Sequence, residues 1–80
     1  MSDPPRVILY TRKGCHLCDV AKQVLRDAGL AVDEVDIDQD PELQARYNEE
    51  VPVVFLNGKK AFKYRVDPTE LRRRLEKLLD

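Results

Sequence analysis

Thr11-Arg12-Lys13-Gly14-Cys15-His16-Leu17-Cys18-Asp19 holds both cysteines of an 80-residue chain, three positions apart. The stretch follows an apolar run, Val7-Ile8-Leu9-Tyr10, and leads into a pattern of helical period. Residues i and i+3 share a helix face, so a helix opening here brings the two sulfurs together. Strand, turn and Cys-x-x-Cys at the start of a helix is the setting in which this spacing reads as a redox motif.

Outward from that stretch, the rest of the chain falls into alternating elements. Val7 to Tyr10 is too apolar to keep one face wet, which predicts a central strand covered on both sides. Leu17, Val20, Ala21, Val24, Leu25 and Ala28 fall on one helical stripe, and Gly29 supplies the residue that ends the helix. Leu30 to Ile37 places Val35 and Ile37 among acids, as a second and more exposed strand at a sheet edge. Asp40 and Pro41 open a short helix with Leu43 and Tyr47 facing inward. Val51 to Leu56 reads as a third strand, and Asn57-Gly58 as a hairpin turn that returns Ala61 to Tyr64 antiparallel. Asp67-Pro68-Thr69-Glu70 resembles a capping box before a last helix. Leu71, Leu75, Leu78 and Leu79 form that helix's apolar face, and Arg72, Arg73, Arg74 and Lys77 its wet one. The order is βαβαββα, an α/β fold with a four-stranded mixed sheet and three helices. The first two strands are parallel because a helix joins them, with the right-handed crossover that such units adopt.

Composition bounds the function. Eighty residues make a single domain, 1–80, whose first residues, Met1 to Pro5, read as a short polar lead. With 42% hydrophobic and 36% charged residues the chain is globular rather than disordered. A net charge of −1 and the lack of a basic stripe among aromatics exclude nucleic acid as the expected partner. The longest apolar run, Val53 to Leu56, is far short of a membrane span, and the N-terminus lacks the plan of a signal peptide. A cytoplasmic monomer is the expectation, and a reducing compartment argues against a permanent structural disulfide.

The thiolate, not the thiol, attacks disulfides. A cysteine at a helix N-terminus meets unsatisfied N–H groups and the positive end of the dipole, and both lower its pKa. Arg12 and Lys13 add to this if they lie close. Cys15 is then the more exposed, attacking sulfur and Cys18, one turn inside, the resolving one. Other readings stay open at this level. Zinc needs four ligands where the chain offers two cysteines and His16, so a metal or iron–sulfur centre would join two chains. Such a dimeric carrier or adaptor would use Cys15 without disulfide turnover. The pair could also be two inert core cysteines. His16 is either a proton shuttle that tunes the thiolate or a solvent-facing residue between the sulfurs. Asp36-x-Asp38-x-Asp40 mimics half of a calcium loop, but Pro41 stands where glycine is needed, leaving a solvated acidic loop. Pro52 must sit at the start or edge of its strand, with a trans bond by default.

Taken together these residues resemble the glutaredoxin-like branch of the thioredoxin superfamily, over nearly the whole chain. The likeness is carried by the strand before Cys15-His16-Leu17-Cys18, by Val51-Pro52 before a strand, by the Asn57-Gly58 hairpin and by Asp67 before the final helix. Cys15 to Asp19 with Ala21-Lys22 is similar to a group of short glutaredoxin-like proteins. The resemblance implies a thioredoxin-like fold and a thiol–disulfide oxidoreductase with a redox-active centre, reducing protein or mixed disulfides. It implies Cys15 as nucleophile and Cys18 as resolver. It further implies a cis Pro52 facing the cysteines, with the Val51 backbone pairing with a bound peptide or glutathione. Arg12, Lys13, His16 and Asp67 complete the expected substrate or glutathione site, with no resident metal or cofactor. The electron donor is glutathione or a thioredoxin-reductase-type partner. Tyr64-Arg65-Val66-Asp67 is similar to the Phe-Arg-Pro-Asp of small redoxins served by thioredoxin reductase. The chain departs from the usual glutaredoxin pattern at His16-Leu17, at Glu50, and at Tyr64-Arg65-Val66 where a Gly-Gly pair is usual. Glu50 opposes an anionic ligand if it faces the site.

Overall fold

The computed structural model describes residues 4–79, so the expectations for Met1 to Asp3 and for the Leu79 side chain lie outside the described residues. In chain order the elements are β1 (Val7–Thr11), α1 (His16–Asp27), β2 (Val32–Asp36), a 3-10 helix (Ile37–Gln39), α2 (Pro41–Tyr47), β3 (Val53–Leu56), β4 (Lys59–Lys63) and α3 (Pro68–Leu79). The sheet runs β2-β1-β3-β4. β1 is parallel to β2 and antiparallel to β3, and β3 is antiparallel to β4. The most apolar strand is thus central, and the acid-rich β2 takes an edge where its side chains reach water. This is the thioredoxin-like α/β arrangement, a four-stranded mixed sheet with three helices.

Each face of the sheet has its own cluster. Val7, Leu9 and Val54 meet Ala21 and Leu25 of α1 and Leu71 of α3. Residues one position away in the strands point to the opposite face. There Tyr10, Val53 and Phe55 meet Ile37 and Tyr47. The Tyr10 and Tyr47 rings stack at 4.9 Å, and Phe55 stands edge-on to Tyr10 at 5.5 Å. Two-sided burial of β1 follows directly from this layering.

Turn chemistry fixes the register. Asn57 (φ 51°) and Gly58 (φ 83°) both adopt the left-handed conformation that a two-residue hairpin of matching twist requires. Asn57 donates its N–H to the Arg6 carbonyl (2.8 Å) and accepts the Arg6 N–H on Oδ1 (2.7 Å), sewing the hairpin tip to the start of β1. Val54 faces Phe62 while Phe55 faces Lys60, so Ala61 is the extra residue of a bulge. At the end of α1, Gly29 donates to Arg26 (2.9 Å) and Leu30 to Leu25 (3.2 Å), the paired bonds of a Schellman ending.

Several expected boundaries and faces differ. Only Cys18, Ala21 and Leu25 of α1 are buried. Leu17 and Val20 are 38% and 45% exposed, because the helix turns a narrow arc toward the sheet and these two lie on its flank. Leu78 of α3 is likewise exposed. The second strand stops at Asp36, whose carboxylate takes the Asp38 N–H (2.9 Å) and starts a 3-10 turn that buries Ile37. The third strand begins at Val53, after Pro52, which has no N–H to give to a ladder. The fourth starts at Lys59 rather than Ala61, since a two-residue turn sets Lys59 directly opposite Leu56. Before α3, Asp67 accepts from the Thr69 N–H (2.8 Å), but Glu70 pairs with Arg73 (3.2 Å) instead of closing a capping box.

Candidate active site

β1 ends at Thr11, and Gly14, at φ 77°, turns the chain so that Cys15 becomes the N-cap of α1. Cys15 keeps an extended backbone (φ −89°, ψ 104°), and its Sγ accepts the Cys18 N–H at 3.1 Å. Its own N–H reaches back to the Arg12 carbonyl at 3.4 Å. Cys15 is half-buried, whereas Cys18 is 2% exposed. The two are joined as a disulfide with Cα atoms 5.2 Å apart. A sulfur that accepts a helix N–H at the positive end of the dipole is one whose thiolate is favoured. Among the described residues no group of three His, Cys, Asp or Glu side chains gathers into a metal site.

The register brings a second segment to the same end of the sheet. Tyr10 pairs with Val53, so Pro52 continues the line beside Thr11; Val53 pairs with Lys63, so Tyr64 flanks Pro52 on the other side. The Val51–Pro52 bond is cis. The Tyr64 N–H donates to the carbonyls of both Pro52 (2.9 Å) and Glu50 (3.2 Å), bracketing Val51 between them. The N–H and C=O of Val51 itself find no backbone partner among the described residues. Tyr64 holds this position at φ 68°, a left-handed conformation unusual for an aromatic residue, and its side chain is exposed.

The charged residues expected at the site have diverse fates. The Arg12 guanidinium is engaged by two residues distant in sequence. Its Nη2 and Nε hold the two carboxylate oxygens of Asp38 (2.8 and 3.3 Å), and Nη1 holds the Asn48 side-chain oxygen (2.6 Å) and carbonyl (3.1 Å). Lys13 and His16 are exposed and make no side-chain hydrogen bond or ion pair among the described residues. Asp67 uses its carboxylate on the first turn of α3. Glu50 is bonded to Lys60 (2.9 Å) with Lys63 at 3.8 Å. The Lys60 hydrogen bond, chiefly, and the charges of both lysines hold its carboxyl below the ordinary range, although partial burial pulls the other way. Its negative charge is therefore paired with two lysines within the fold.

Sequence reasoning missed three residues here. Nothing in a tyrosine side chain signals a left-handed backbone, so the bracket made by Tyr64 was invisible. From sequence Asp38 reads only as part of an acidic loop, and nothing singles out Asn48. Their shared partner lies 26 and 36 positions away in sequence.

The model of the glutaredoxin-like domain (DUF836) matches residues 6–76. A glutaredoxin-like protein of Dictyostelium discoideum is 32% identical over 80 residues, covering 88% of this chain and 74% of that one. A structural-genomics target protein from X. campestris superposes with a TM-score of 0.78 at 36% identity, covering 89% of this chain and 96% of that one. The glutaredoxin-like NrdH-redoxin of Escherichia coli, described by a thioredoxin-like activity profile, superposes with a TM-score of 0.66 at 26% identity, covering 85% and 92%.

Proposed function

The chain belongs to the glutaredoxin-like domain family (DUF836), and from that premise we propose that it is a dithiol–disulfide oxidoreductase acting on protein or mixed disulfides. One observation carries the reading: a half-buried Cys15 caps α1 and is bonded to a Cys18 that solvent barely reaches. In the reduced protein the Cys15 thiolate attacks one sulfur of the substrate disulfide. A mixed disulfide forms, and the other substrate sulfur leaves as a thiolate that takes a proton from water. Cys18, deprotonated, then attacks Cys15 Sγ and expels the second substrate thiolate. Two electrons have passed to the substrate, and the protein is left with the Cys15–Cys18 disulfide, which a donor must reduce.

In this reading the bracketed Val51 backbone lies beside the sulfurs and takes an extended substrate segment as an added strand. Lys13 and His16 border it, and Asp67 marks its far side. A thioredoxin-reductase-type donor is favoured over glutathione on two grounds. The Arg12 charge that would attract glutathione is already committed to Asp38. The exposed Tyr64 occupies the lip beside Pro52. The thioredoxin-like profile of the NrdH-redoxin agrees with this choice. Turnover measured in parallel with glutathione plus its reductase and with thioredoxin reductase plus NADPH tests the proposal. Faster turnover with the second pair is expected. Turnover with neither would sink the oxidoreductase reading.

A further inference from the structure

Arg12 occupies an unusual junction. Its carbonyl closes the turn that delivers Cys15, while its side chain crosses to two other loops at the same end of the sheet. One is the 3-10 turn after β2, through Asp38; the other is the end of α2, through Asn48, four residues before Pro52. The planar guanidinium engages both oxygens of Asp38 and still reaches the Asn48 carbonyl and side chain, an arrangement that a lysine ammonium cannot reproduce. Its target is itself held: Asp38 also accepts from Gln44 (3.0 Å), and its N–H is tied to Asp36 (2.9 Å). The side chains of Arg12 and Asp38 are only 30% and 35% exposed, so the pair is partly withdrawn from solvent.

We infer that Arg12 is a positioning residue of the redox site: by clamping Asp38 and Asn48 it fixes the turn bearing Cys15 against the loop bearing Val51 and Pro52. This rests on the oxidoreductase reading above and names a device that serves it. A rival role, tuning the thiolate by charge, makes the opposite prediction at the far end of the clamp. Asp38→Asn keeps the shape but releases the Arg12 charge. Tuning then gives faster alkylation of reduced Cys15 with its pH midpoint moved down. Clamping leaves that midpoint in place and slows disulfide turnover.

The experiment compares Arg12→Lys, Arg12→Gln, Asp38→Asn and Asn48→Ala with the unaltered protein. Three readouts are taken: insulin disulfide reduction, the pH profile of iodoacetamide alkylation at Cys15, and amide hydrogen exchange. Arg12→Gln should slow turnover by tens of fold, within the ~10²-fold that a 1 Å misplacement costs. Arg12→Lys should lose less, because it keeps one partner at a time. Amide exchange should rise at Cys18 and Tyr64 but not at Asn57, whose bond to Arg6 lies at the opposite end of the sheet. Full turnover in Arg12→Gln, or a lowered alkylation midpoint in Asp38→Asn, would overturn the inference. If the unaltered protein reduces no disulfide, the oxidoreductase reading falls. The exchange pattern of Arg12→Gln then decides the clamp alone, with a local rise supporting it and no change rejecting it.

Discussion

Helices α1 and α3 are each twelve residues long, and each starts on a side chain that accepts a first-turn N–H. At α1 the acceptor is Cys15 Sγ, bonded to the Cys18 amide at 3.1 Å; at α3 it is the Asp67 carboxylate, bonded to the Thr69 amide at 2.8 Å. The backbone need is the same in both places, since the opening N–H groups of a helix have no intrahelical partner. The electrostatics are also the same, with the positive end of a dipole facing the cap. The outcomes differ through the atom. A carboxylate offers no sulfur nucleophile, so the Asp67 cap stays a structural group. A thiol titrates near neutrality, so the same position changes how much of it is thiolate. On the proposed function, one fold device ends as structure at α3 and as reactivity at α1.

The hardest test of that contrast is Cys15→Ser. Serine is a good N-cap, so the reduced variant should hold its stability to within about 0.5 kcal/mol in urea unfolding, close to the few tenths by which good caps differ. Disulfide reduction should vanish. Retained turnover would show that the cap sulfur is not the nucleophile. Cys18→Ser should still attack but stall, accumulating a substrate adduct on Cys15 that intact-mass measurement detects. A variant that turns over with no adduct would remove Cys18 from the resolving role.

Asp67→Ala sharpens the comparison from the other helix. Losing this cap should cost about 1 kcal/mol in urea unfolding, while the alkylation rate of reduced Cys15 stays as it was. A change in that rate would mean that the two helix starts communicate. The smallest effect is expected at Glu50, whose carboxyl is held below its ordinary pKa first by the Lys60 hydrogen bond. A lowered folded-state pKa adds stability above the unfolded value and loses it as pH falls through the folded one. Glu50→Gln should therefore unfold at slightly lower urea at pH 7, with the difference closing in acid. A gap that persists unchanged below the carboxylate range would assign the effect to packing.

Much of this molecule was readable from residue order because the relevant signals are local. The apolar Val7 to Tyr10 run could only be a covered strand, Asn57-Gly58 could only reverse the chain tightly, and Gly29 ended α1 as its freedom at positive φ allows. The faces of helices were read less well. Leu17 and Val20 satisfy the helical period yet remain exposed, because periodicity gives the direction of a stripe and not the width that a neighbour covers. Charge was read least well. The place of Arg12 in the chain leaves open whether it lies close to the thiol, and its partners Asp38 and Asn48 are ones that only folding brings near.

By itself the sequence determined the order of strands and helices, the parallel and hairpin connections, and the pairing of two cysteines on a helix start, since each depends on neighbours within a few residues. The tertiary structure alone decided that Pro52 lines up beside Thr11, that Tyr64 brackets Val51, and that Arg12 and Glu50 spend their charge on internal partners. Those are contacts between segments far apart in the chain, and they depend on sheet register and packing that no local pattern encodes.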